Sequence, residues 1–261
     1  MKDIEFQGEI SPRAAGLAEA ISVCTFPPFM GIVAFLVISI CLADGIMTLK
    51  TFAVGFVTST VIPLMVTLHF AKKEKDNDEF GDIRNSQDRL APMRFITISY
   101  AAGAAILFCI GAPEAAYLSM ISYFLSTDFA MAVSTRWKIS LHAMGIVGPA
   151  TALSFCLWPW GALMFLLLPF VCWSRYVRKR HTLFQLIAGS VCGTAITALV
   201  FIILRWRDGA SPMHDPSVFD GAVRILLTPM MMSIHGKGMD RYSRSADALS
   251  HGSIGHRRRY L

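Results

Sequence analysis

The chain has 261 residues, 54% of them hydrophobic and 16% charged, with a mean hydropathy of +0.51. Soluble domains carry about a quarter charged residues, so this composition excludes a globule that coats itself in polar side chains. The net charge of +6 does not point to nucleic acid, because the basic residues cluster between apolar blocks, as in loops facing the cytoplasm or anionic head groups.

The apolar residues fall in blocks of about 17–22 residues, the length that crosses a hydrocarbon core of about 30 Å as a helix. Residues 1–25 form a polar, interfacial segment without the short apolar core of a cleavable signal peptide. The first span covers 26–43, opened by Pro27-Pro28, and the second covers 51–70. Residues 71–94 are the most charged stretch and read as a loop. Blocks at 95–111 and 115–133 follow, split by the turn Ala112-Pro113-Glu114. A polar patch at 134–138 leads into a span at 139–158, which Pro159 breaks, and a short block at 160–173 comes next. The basic stretch 174–181 precedes the seventh span, 182–204. The tail 205–261 is polar, apart from an apolar stretch at 223–234 that Pro229 interrupts and that reads as interfacial.

The expectation is therefore an all-α, polytopic membrane helical bundle of six or seven transmembrane helices. One membrane domain, 26–204, lies between the N-terminal segment and the tail, in the inner or plasma membrane of the cell. Cys24, Cys41, Cys109, Cys156, Cys172 and Cys192 lie in or beside apolar blocks, and none forms a C-x-x-C pair. Neither a zinc site nor a disulfide framework is indicated, and the cysteines read as small hydrophobes. The small residues Gly189, Gly193, Gly145 and Gly148 read as helix-packing positions.

If all seven blocks cross, the segments 71–94, 134–138 and 174–181 emerge on one side of the membrane. The loops on the other side are short and carry almost no charge. The positive-inside rule places the basic face in the cytoplasm, whereas the basic tail beyond Arg205 argues the other way, so charge leaves the orientation open.

Two histidines open apolar blocks on the basic face, His142 and His181. Ionisable groups at membrane depth are costly, which makes the two together functional candidates, although each alone reads more readily as an interfacial histidine bonded to a backbone carbonyl. Around them stand Arg89, Arg136, Lys138, Arg175, Arg178, Lys179 and Arg180. Guanidinium groups hold phosphate oxygens bidentately, and helix N-termini add backbone donors. One imidazole can attack phosphorus while another protonates the leaving oxygen.

The segment Ser174-Arg175-x5-His181-x3-Gln185 resembles the third motif of the type 2 phosphatidic acid phosphatases, S-R-x5-H-x3-D. Ser140-x-His142 is similar to their second motif, P-S-G-H, and Arg89-Leu-Ala-Pro92 echoes the first, K-x6-R-P. The resemblance covers about half the chain. It implies that His181 is the nucleophile, forming a phosphohistidine, and that His142 is the general acid. It further implies that Ser140, Arg175 and Arg89 bind phosphate oxygens, beside Ser174 and with Lys138 as a further cation, and that no metal or other cofactor is needed. The substrate would be a polyprenyl diphosphate or a phosphatidate-like lipid, and the partners membrane lipids.

Gln185 departs from that pattern, standing where the family has the aspartate that orients the nucleophile. Losing the equivalent carboxylate in a serine triad costs about 10⁴ in kcat. Leu141 and Ile139 replace the glycine and proline of the second motif, and Asp82 stands where the first has lysine. Asp128, near the end of the fourth span, is a candidate to supply the missing carboxylate, or else a solvated helix-end acid. The competing functions are a non-catalytic phospholipid-binding relative and a UbiA-like prenyltransferase. The second would use Asn77-Asp78 in the acidic loop to hold magnesium diphosphate, although Gly81 occupies the next aspartate position of that motif.

Overall fold

A computed structural model describes residues 5–72 and 88–207. The acidic part of the 71–94 loop and the tail beyond Arg207 lie outside the described residues, and with them the prenyltransferase motif and the 223–234 stretch.

The described residues are helical, with no strand among them. Helix α1 (Pro12–Cys24) starts with Ser11 as its N-cap and meets α2 (Pro27–Leu42) at a 49° bend. Helices α3 (Ile46–Phe56) and α4 (Ile62–Ala71) form one segment through a π turn at Val57–Val61. Pro63 has no N–H to return to the preceding turn, and the backbone widens just ahead of it. The surroundings satisfy that widened stretch: the Ser99 hydroxyl donates to the Thr58 carbonyl at 2.8 Å, and the Thr60 hydroxyl to that of Pro28 at 2.9 Å. Helices α5 (Leu90–Cys109), α6 (Glu114–Ser134) and α7 (Leu141–Leu157) follow. A 3₁₀ segment, Trp160–Leu167, runs into α8 (Leu168–Val177), and α9 (Leu183–Arg207) closes the described chain.

Among the described residues five helical segments are long and apolar enough to cross a membrane, six if the bent α1–α2 pair is counted as one span. The protein is a multi-pass, all-α membrane bundle. Large apolar side chains such as Leu49, Met65, Ile98, Phe108, Leu166 and Val191 are more than half exposed, as a lipid-facing surface requires.

Helix α7 has only 17 residues, about 26 Å at 1.5 Å per residue. Twelve of the 17 are buried, because α2, α6, α8 and α9 all pack around it. It is the central post of the bundle. Its contact with α9 depends on small residues: a Cβ on Gly193 would stand 2.7 Å from Val147 Cγ2 and 3.2 Å from Met144 Cα. The helix-packing role of Gly189 and Gly193 thus holds in three dimensions.

Several boundaries differ from the sequence reading, and the third span begins at Leu90 rather than 95. The second span begins at Ile46 rather than 51, with Lys50 exposed near the helix end, where a long side chain can reach the polar interface. The sixth segment runs on to Val177 rather than 173, because α1 covers Ser174 and Arg175. Residues 1–25 are not simply a polar apron, since α1 packs along α8.

Candidate functional site

The starts of α7 and α9 lie side by side, and the start of α5 shares a cavity with that of α7. The Ser140 N–H donates to the Gln185 carbonyl at 3.4 Å, tying the start of α7 to the first turn of α9. Gly189 makes room for this, as a Cβ there would lie 2.6 Å from the Ser140 carbonyl oxygen. The His142 ring packs on Phe26, just ahead of α2, with centroids 5.7 Å apart.

Local sequence explains each helix start. Ser140 is the N-cap of α7, its hydroxyl accepting from the Ala143 N–H at 3.4 Å. Thr182 and Gln185 form a reciprocal capping box at the start of α9. The Gln185 N–H donates to Thr182 Oγ1 at 3.3 Å, and the Thr182 N–H donates to Gln185 Oε1 at 3.3 Å.

That box determines a tautomer. A backbone N–H only donates, so the side-chain atom it meets on Gln185 is the amide oxygen. The same oxygen lies 3.0 Å from His181 Nδ1. Nδ1 must therefore carry a proton, and in the neutral imidazole Nε2 holds the lone pair. Gln185 orients His181 as a carboxylate would, but adds no charge.

The turn from α8 into α9 is tightly built. The Arg180 N–H donates to the Arg175 carbonyl at 3.1 Å and the Lys179 N–H to that of Tyr176 at 3.0 Å, a Schellman closure. The left-handed residue this motif requires is Lys179, at φ 55°. At the opposite face the same closure after α5 uses Gly111, at φ 70°. The His181 N–H also reaches the Arg175 carbonyl, at 3.4 Å.

The side chains of Ser174 and Arg175 turn toward α1. The Ser174 hydroxyl donates to the Ala18 carbonyl at 2.6 Å, and Arg175, fully buried, donates through Nη1 to Ser22 Oγ at 2.8 Å. Arg178 pairs with Glu19 at 3.6 Å on the same seam. Ser22 is a member of this cluster that sequence reasoning missed. It lies 153 positions from Arg175 and carries no local signal. Thr182 was missed as well, although Thr-x-x-Gln at the border of a basic stretch and an apolar block is the local signal that finds it.

A cavity of about 140 Å³ opens beside this cluster. Arg89 and His142 line it, as do Tyr100, Tyr123 and Gly148 further along α5, α6 and α7. Pro27, Pro28, Pro63, Pro92 and Pro149 contribute to the remaining wall, together with mobile apolar side chains such as Met93, Ile96, Leu141 and Met144.

The expected site residues thus divide into two neighbouring groups. Arg89 and His142, both buried, share the cavity. Ser174, Arg175, His181 and Gln185 form a hydrogen-bonded cluster on the α8–α9 turn and are not among the cavity-lining residues, with Ser140 linking the two groups. Lys138 is half-buried in the turn before α7, and Asp128 is exposed on α6. Among the described residues, no three His, Cys, Asp or Glu side chains gather as a metal site would require. Compared with protein-family models, curated proteins and solved structures, the chain has no match.

Proposed function

We propose that the protein removes phosphate from a lipid at the head-group level of the membrane, the lipid being a polyprenyl diphosphate or a phosphatidate-like molecule. His181 Nε2 attacks phosphorus. The bond from phosphorus to the leaving oxygen breaks, and His142 gives that oxygen a proton. Water then hydrolyses the phosphohistidine and releases phosphate. Arg89 and Ser140 serve the phosphate oxygens, while Arg175, Ser174 and Gln185 build the turn that holds His181. We infer the inner or plasma membrane of the cell as its location, with the tail of the substrate staying in the bilayer.

One observation carries this reading. The Ser140 to Gln185 hydrogen bond draws the helix bearing His142 to the turn bearing His181, two histidines from separate motifs. The test is a phosphate-release screen over lipid phosphates with purified full chain in lipid nanodiscs. Activity that His181→Ala abolishes, and that persists in EDTA, is the expected result. Release that is equal in His181→Ala would overturn the nucleophile.

A second reading, phospholipid binding without turnover, is favoured by Gln185 and by the seating of Arg175 against Ser22. It predicts head-group-dependent lipid retention with no phosphate released from any substrate.

A further inference from the structure

The cavity has a direction. Arg89 caps α5, and Tyr100 lies eleven residues further along that helix, about 16 Å at 1.5 Å per residue. On α6, Tyr123 lies eleven residues before Ser134 at the same face, an equal depth reached from another helix. On α7 the lining runs from His142 in the first turn to Pro149, seven residues on, about 10 Å. Half of a hydrocarbon core about 30 Å thick is about 15 Å, so the cavity descends through one leaflet toward the midplane.

Its two ends differ in chemistry. A guanidinium and an imidazole stand at the shallow end. The deep end is closed by aromatic rings, with Tyr123 edge-on to Tyr100 at 5.6 Å and to the fully buried Phe35 at 6.3 Å. The volume bounds how much enters: about 140 Å³ is close to the cavity of about 150 Å³ that accepts a benzene ring, too little for two hydrocarbon chains side by side.

We propose that this cavity is a tail pocket for a single-chain amphiphile, its anionic head between Arg89 and His142, and that the floor at Tyr100, Tyr123 and Gly148 limits the chain length accepted. The anionic head rests on the proposed phosphate chemistry; the tail pocket does not. Gly148 is the adjustable element of that floor. A Cβ there meets nothing nearer than Thr197 Oγ1 at 3.7 Å, so a side chain at 148 shortens the pocket without forcing the helices apart. Gly145, one turn shallower, offers no such freedom, because its Cβ would lie 2.7 Å from Pro27 Cβ.

The experiment uses the full chain in phosphatidylcholine nanodiscs with dodecyl phosphate carrying a photoreactive diazirine at the chain end. After irradiation, mass spectrometry locates the adducts. Adducts on Tyr100, Tyr123 or Pro149 that excess unlabelled dodecyl phosphate suppresses at least ten-fold support the pocket, as does failure of a diacyl phosphatidate to suppress them. Gly148→Ala is expected to lower the deep adducts several-fold for the dodecyl probe and to spare an octyl probe. Labelling confined to lipid-facing residues such as Ile98 and Phe108 would overturn the tail pocket, whatever the phosphate assays show. A dodecanol probe of the same length separates the two claims. Equal deep labelling by the alcohol keeps the tail pocket and removes the phosphate reading of Arg89.

Discussion

Gly189 faces the carbonyl of Ser140 so closely that a Cβ would stand 2.6 Å from the oxygen. This contact sets the distance between α7 and α9 at the end where His142 and His181 are carried. The atom in the way is backbone, at the N-cap of a helix buried on nearly every side, so it cannot swing aside as a flexible side chain would.

Gly189→Ala is therefore expected to push α9 away and destabilise the bundle by about 1–3 kcal/mol, the usual cost of overpacking. Gly148→Ala, with ordinary contacts only, is the matched control and should stay close to the parent. Thermal unfolding of both variants in one detergent checks this. Equal midpoints would show that α9 is free to yield.

Gln185 holds two donors on one oxygen. Gln185→Leu removes the side-chain half of the capping box and the partner of His181 together, while the residue-185 N–H keeps Thr182 Oγ1; losing the bond to the Thr182 N–H is expected to cost about 0.5–1.5 kcal/mol. Gln185→Glu keeps the shape and supplies the missing charge. If His181 is a nucleophile, phosphate release by this variant should rise at least about ten-fold, given that a triad carboxylate is worth about 10⁴. Release rates of the two variants and the parent on one lipid phosphate decide the matter, and a flat series would detach Gln185 from catalysis.

Ser22→Ala takes the acceptor from a fully buried guanidinium. Hydrogen bonds to charged groups contribute about 1.5–3 kcal/mol, and a loss in that range is expected. In the double variant with Arg175→Met the two losses should fall short of additive, because the contact can be lost only once. Strict additivity would mean that the seam between α1 and α8 is held by other contacts.

Lys179 adopts a left-handed conformation that favours glycine. Lys179→Gly is expected to stabilise the turn by about 0.5–1 kcal/mol, the relief of strain being partly offset by the entropy of an unfolded glycine. For a chain of this length that raises the thermal midpoint by about 2–4 °C per kcal/mol. A lowered midpoint would show that the lysine side chain holds the turn more firmly than its backbone strains it.

Composition and block length were enough to determine the all-α membrane bundle and most of its helices. Those properties follow from a physical requirement local to each segment: about twenty apolar residues must cross as a helix. The capping box of Thr182 and Gln185 is equally local, its residues being three apart, although the sequence reading passed over it. Tertiary structure alone decided that Ser174 and Arg175 are held by α1, that Ser22 is their partner, and that Arg89 and His142 share a cavity ending at Tyr100 and Tyr123. These relationships join residues from distant helices, and no periodicity along one helix records which neighbour its polar side chains will meet. Packing of the small residues Gly145 and Gly189 against Pro27 and Ser140 makes that choice.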